Sequence, residues 1–269
     1  MKAGTRIRNT TVAGEYGRIT FRGGTELSVD YSHRPALRRL PRRPELLFVR
    51  EYTTVRDLFK LLALATVVLL LVAILVFGEK FAFWTAPLSD LGTLRTPGGQ
   101  PNRASFLFFA LYMVCGSLIM VRFAKAVTRT PGLPHQTLKF VLAICAAAGY
   151  LGGIFPHDQF QVVHMISCGI MVGSLWMLGN VFTAELSRRG RAREALRVQA
   201  VLQASVLPYA ITYLMGADVK QTLQKVAVVG LYASLTSATR YLRTAVLDQS
   251  IRDTNAGGAR HQVLRHAAG

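Results

Sequence analysis

Apolar residues along this chain collect into six long runs, at 57–78, 104–125, 138–155, 161–185, 198–216 and 221–240. A bilayer core about 30 Å thick is crossed by about 20 such residues in a helix. The pattern therefore predicts an all-α fold, a polytopic bundle of six transmembrane helices. The first run is the clearest, since 61–78 holds no charged residue. It starts too far from the N-terminus for a cleaved signal and reads as an anchor. Pro208 and Gln203 in the fifth run predict a broken, kinked helix whose polar side faces other helices. Lys225 in the sixth must snorkel outward or face protein.

The first 54 residues follow another pattern. Arg18-Ile19-Thr20-Phe21-Arg22 and Leu27-Ser28-Val29-Asp30-Tyr31 alternate polar with apolar on either side of Gly23-Gly24, which predicts a β-hairpin over 16–31. A two-stranded hairpin is marginal alone in water. Ile19, Phe21, Leu27, Val29 and Tyr31 therefore need a cover, either the cytoplasmic loops or a partner; the alternative is a flexible basic tail. Pro35, Pro41 and Pro44, with their arginines, read as an extended linker. The expected organisation is a basic extension (1–54), a membrane bundle (55–243) and a cytoplasmic tail (244–269).

Charge then sets the direction of each crossing. The chain is 51% hydrophobic and 17% charged, against about 25% charged in a soluble domain, yet it carries a net charge of +18. With the N-terminus inside, the outer side keeps only Lys80, Arg95, Arg103, Lys220 and Lys225 of the 32 Lys and Arg. Every loop obeys the alternation, so the positive-inside rule puts both termini in the cytoplasm of a multi-pass plasma-membrane protein. Arg38-Arg39-Leu40-Pro41-Arg42-Arg43 and Arg188-Arg189-Gly190-Arg191 then hold topology and touch anionic headgroups, and no nucleic-acid partner is expected. Cys115, Cys145 and Cys168 lie inside apolar runs without metal spacing and read as small packing residues.

Small residues supply close helix approach where lipid offers no hydrophobic drive. Gly149, Gly152 and Gly153 in the third run, with Gly169 and Gly173 in the fourth, predict a packing interface between these two helices; the alternative is a docking face for another subunit.

Chemically capable residues gather on the outer side. Ser89, Asp90, His157, Asp158 and His164 share one level of the bundle, joined by Tyr213 and Asp218, while Asn102 is a natural N-cap. The aromatics of the long 79–103 loop suit the membrane interface. A metal site on His157, His164, Asp90 and Asp158 is possible by ligand type, but no tight ligand spacing supports it. Ser89 with a histidine base would make a nucleophile, but no nucleophile elbow frames it. In the third reading Asp90 and Asp158 cap helix ends and pair with Arg103 or His164 to hold the outer loops. No cofactor is expected: only His164 lies inside a run, no phosphate-binding glycine loop occurs, and with Gln203 and Lys225 nearly alone the bundle centre reads as dry.

The order Ser89-Asp90-Leu91-Gly92, Asn102, Phe155-Pro156-His157-Asp158 and His164 resembles the domain of unknown function 998 of bacteria and archaea. More loosely it is similar to the FRAG/DRAM-like membrane proteins, which share a Ser-Asp-x-Gly element. The resemblance covers roughly 55–240 and implies a six-helix bundle without an enzymatic activity to carry over. A remoter similarity is to the CREST group of membrane hydrolases, which use a Ser, an Asp and three His. This chain departs from that pattern, having no His between His164 and His261.

The expected function is that of a non-catalytic accessory or scaffold subunit, its partners being membrane lipids and another membrane protein. One alternative is a metal-dependent hydrolase acting on outer-leaflet lipid through the polar cluster. Another is a lipid-binding sensor or transporter.

Overall fold

The computed structural model describes residues 16–20, 26–30, 44–130 and 133–267. The chain divides into two units, 1–43 and 44–269. In the first, strands β1 (Tyr16–Thr20) and β2 (Glu26–Asp30) pair antiparallel, with Gly17 opposite Val29 and Ile19 opposite Leu27. The expected turn at Gly23-Gly24 lies outside the described residues, as do Phe21 and Tyr31.

The second unit is all-helical: α1 (Pro44–Leu75), a short 3-10 turn (Leu88–Gly92), α2 (Arg103–Thr128), α3 (Gln136–Gly152), α4 (Gln161–Arg188), α5 (Ala192–Leu214) and α6 (Lys220–Ala267). Three helices, Val49–Leu75, Arg103–Thr128 and Gln161–Arg188, are long and apolar enough to cross a membrane, and they make this a membrane-embedded protein. Gln136–Gly152 is apolar but shorter.

Helix limits differ from the apolar runs for local reasons. Pro44 opens α1, where its fixed φ suits a first turn that lacks an NH partner. The helix is therefore several turns old before the apolar run begins. At the other end α6 continues to Ala267, because Ala, Arg, Leu and Gln are good helix formers and no proline intervenes. The expected break at Pro208 is not made. α5 runs on through it, and Thr212 Oγ donates to the Pro208 carbonyl at 2.8 Å.

Consecutive helices α1 to α6 pack side by side, and α6 closes back on α1 and α4. The core is a continuous apolar cluster. Phe59, Phe123 and Phe182, from α1, α2 and α4, meet with ring centroids 5.4–6.2 Å apart. Leu64, Val67, Leu71 and Leu75 on α1, with Leu107, Leu111 and Leu118 on α2, stay exposed, as lipid-facing positions do.

The five glycines take two different roles. A Cβ on Gly149 would lie 2.6 Å from the Met171 nitrogen and 2.7 Å from the Ser167 carbonyl oxygen of α4. Gly152 faces the Ser167 side chain, and Gly153 faces Met113 of α2. Gly169 and Gly173 point elsewhere, with nothing within 4 Å of an added Cβ. The close approach of α3 to α4 thus pairs α3 glycines with Ser167 and Met171, not with the two α4 glycines.

Candidate functional site

The outer cluster is built around the 3-10 turn Leu88–Gly92. Leu91 and Gly92 are buried, and a Cβ on Gly92 would come within 2.6 Å of the Phe109 ring. A glycine is needed there for the turn to lie on α2. Asn102 stands at the N-cap position of α2, but its side chain makes no cap hydrogen bond. Its Nδ2 instead donates to the carbonyls of Thr93 at 3.0 Å and Asp90 at 3.3 Å, while its Oδ1 accepts the Gly78 NH at 3.3 Å. Ser105 Oγ donates to the Leu91 carbonyl at 3.1 Å. Two buried side chains of α2 therefore satisfy carbonyls of a loop that secondary structure leaves open.

The 153–160 segment closes the other side. The His157 NH donates to the Gly92 carbonyl at 3.3 Å, and Asp158 Oδ1 accepts the Leu94 NH at 3.2 Å. The expected pairing of Asp90 or Asp158 with Arg103 or His164 is not made among the described residues, because Asp158 is engaged by backbone. His164 is 2% exposed. Its Nδ1 lies 2.9 Å from the Phe155 carbonyl, which can only accept, so this nitrogen carries the proton. Nε2 then faces the Cys168 thiol at 3.5 Å, and the ring stacks on Phe109 at 6.0 Å. The His157 ring lies 5.3 Å from that of His164.

From the α6 side, Gln224 Oε1 accepts the Leu88 NH at 2.9 Å, and Thr222 donates to the Trp84 carbonyl at 2.8 Å. Lys225, only 7% exposed, donates to the Ala86 carbonyl and to the Gln221 carbonyl, the latter at 2.8 Å. Burial pushes the Asp90 carboxyl above the usual carboxylate range, with His157 and Lys225 pulling it back. No hydrogen bond joins Ser89 to either histidine, and no group of three His, Cys, Asp or Glu is placed to hold a metal, among the described residues. Tyr213 and Asp218 are both exposed. The arrangement ties the 79–103 loop to the start of α2, to the 153–160 segment and to α6 through backbone groups.

The other end of the bundle holds a network that the sequence reading missed. Lys139 in the first turn of α3 and Glu185 in the last turn of α4 pair at 2.6 Å, with both side chains 2% exposed. Glu185 also accepts the Tyr52 hydroxyl from α1 and the Arg189 guanidinium, the latter at 3.1 Å. Beside them Thr130 donates to Glu51 at 3.0 Å. The ends of α1, α3 and α4 are thus joined around the Glu185 carboxylate, and Thr130, just after α2, is tied to α1 through Glu51. The signal was present: Glu185 is the only acid in α4, and Lys139 lies at the matching end of its antiparallel neighbour.

The bundle centre also carries polar side chains that the sequence reading did not pair. The hydroxyls of Tyr112, Tyr150 and Tyr232, from α2, α3 and α6, converge, with Tyr232 3.2 Å from Tyr112 and 2.7 Å from Tyr150. Between α4 and α5, Gln203 bridges the Trp176 indole NH at 3.0 Å and Asn180 Oδ1 at 2.9 Å, and Gln199 joins Asn180 at 2.8 Å. These side chains satisfy one another, as polar groups within a membrane bundle must. No protein-family model, no curated protein and no solved structure matches this chain.

Proposed function

We propose that this chain is a six-span integral membrane protein, with both termini in the cytoplasm of a plasma membrane, acting as a non-catalytic accessory or scaffold subunit. The observation that carries the reading is the outward face of α4. Gly169 and Gly173, spaced as in a G-x-x-x-G face, have no neighbour within 4 Å of an added Cβ. Val162, Ile166 and Met177 continue the stripe and are exposed. Glycine weakens a helix unless a close approach repays it, and among the described residues nothing approaches. A helix of another membrane protein supplies the missing contact.

The engagement of Asp158 and His164 with backbone agrees with this: these two side chains hold the outer segments. Packing of α3, α5 and α6 among the three more apolar helices, and the arginine distribution, support six crossings with the termini inside. The paired strands, with Ile19 opposite Leu27, serve in this reading as a hairpin that docks on the partner. The likeness to domain of unknown function 998 stands as a proposal on the same motifs.

Purification in mild detergent tests the role. Wild-type protein is expected to elute with a stoichiometric companion, and Gly169→Leu with Gly173→Leu alone, at unchanged thermal stability. A wild-type monomer without a companion overturns it. A cysteine at Gln100 that reacts only from the cytosol would overturn the orientation. A second reading, lipid hydrolysis at the outer leaflet, is favoured by the adjacency of the His157 and His164 rings with Asp90 nearby. Metal analysis of the folded protein, with and without His157→Ala, separates the two.

A further inference from the structure

A cleft of about 210 Å³ lies between α5 and α6, toward the end of the bundle that carries the Lys139–Glu185 pair. Its lining joins Val198, Val201 and Ala233 to Ser234, Ser237 and Tyr241, with Arg197 contributing the only charge and no carboxylate present. One turn away the helices touch: a Cβ on Gly230 would strike the Ser205 side chain. The cleft begins where that contact ends.

Ser234 makes this more than a packing defect. It is 1% exposed, and among the described residues its hydroxyl has no hydrogen-bond partner. Other helical hydroxyls turn back on their own helix, as Thr66 does to Leu62 and Thr239 to Leu235. A buried hydroxyl left unpaired is costly, and an acceptor entering the cleft removes that cost. Arg197 is exposed and can only donate, so each helix contributes one donor-bearing residue to the lining of a space several times the ~30 Å³ of a water.

We infer that this cleft binds the phosphate of an anionic phospholipid, with Arg197 and the Ser234 hydroxyl donating to the phosphate oxygens and the valine wall taking the glycerol and first acyl carbons. A lipid is favoured over free phosphate because half the lining is apolar and Val201 faces outward, exposed. The site is separate from the α4 glycine face and does not depend on a protein partner.

Full-length protein in mild detergent, titrated with phosphatidylglycerol, phosphatidylcholine or inorganic phosphate and read by native mass spectrometry and thermal unfolding, tests this. Wild type is expected to prefer phosphatidylglycerol over phosphatidylcholine roughly tenfold. Arg197→Gln should abolish the preference and Ser234→Ala weaken binding several-fold. Neither residue makes a hydrogen bond among the described residues, so without lipid Arg197→Gln should unfold at the wild-type temperature and Ser234→Ala at or slightly above it. Equal binding of the two lipids, or variants that bind like wild type, overturns the proposal. So does inorganic phosphate binding as tightly with the same dependence on Arg197, which would assign the site to the free anion.

Discussion

Replacing Glu185 by Leu removes the one carboxylate on which Tyr52, Lys139 and Arg189 converge. Lys139 and Glu185 are each 2% exposed, so the ammonium left behind loses its paired carboxylate and has almost no access to water. Breaking a buried pair from one side costs about 3–5 kcal/mol, which for a chain of this size lowers the unfolding midpoint on the order of 10 °C. Lys139→Met should cost less, because Glu185 keeps Tyr52 and Arg189 as donors. The double variant removes the stranded charge. Arg189 is partly exposed and can turn to water, leaving chiefly the Tyr52 hydroxyl unpaired, a loss of about 1–3 kcal/mol. The double variant should therefore be more stable than Glu185→Leu alone. Thermal and denaturant unfolding of all four proteins in one detergent completes the cycle. A double variant no more stable than Glu185→Leu, or single losses both below about 1 kcal/mol, would refute the reasoning.

The remaining expectations concern the outer loop and the glycines. Gly149→Ala should destabilise by about 1–3 kcal/mol through overpacking against α4 backbone, whereas Gly169→Ala, with open space around it, should be neutral or gain up to about 1 kcal/mol from helix propensity; detergent melts of the two compare them directly. Asn102→Ala removes three hydrogen bonds to Gly78, Asp90 and Thr93 and should cost about 1–3 kcal/mol, read as faster proteolysis within 79–103. Asp90 holds its proton more tightly when folded than when unfolded. The native state therefore binds more protons between the two pKa values, and stability falls as pH rises through that window; Asp90→Asn should flatten this part of the melting profile and raise stability above it.

Length and hydropathy reveal helices because both are properties of a single segment, which is why all six lay open in the chain before any contact was known. Their ends were less legible. A helix does not stop where lipid stops, and α1 and α6 continue through polar turns whose residues favour helix. Small-residue spacing marked α3 and α4 correctly as glycine-rich, yet spacing alone could not say which glycines meet a neighbour: Gly149 meets Ser167 and Met171, while Gly169 meets nothing. The same gap explains the polar networks. Read one helix at a time, Tyr112, Tyr150 and Tyr232 are three ordinary core aromatics, and Lys139 is one more cation serving the positive-inside count. Only the antiparallel juxtaposition of α3 and α4 turns Lys139 and Glu185 into a pair. Opposite charges a few residues inside matching ends of consecutive helices stand at the same depth, because a short loop forces the helices to be neighbours. A cation at a helix end that the positive-inside count explains gives no sign of a partner; a lone acid closing an apolar run does, and Glu185, the only acid of α4, was the residue from which that requirement was readable.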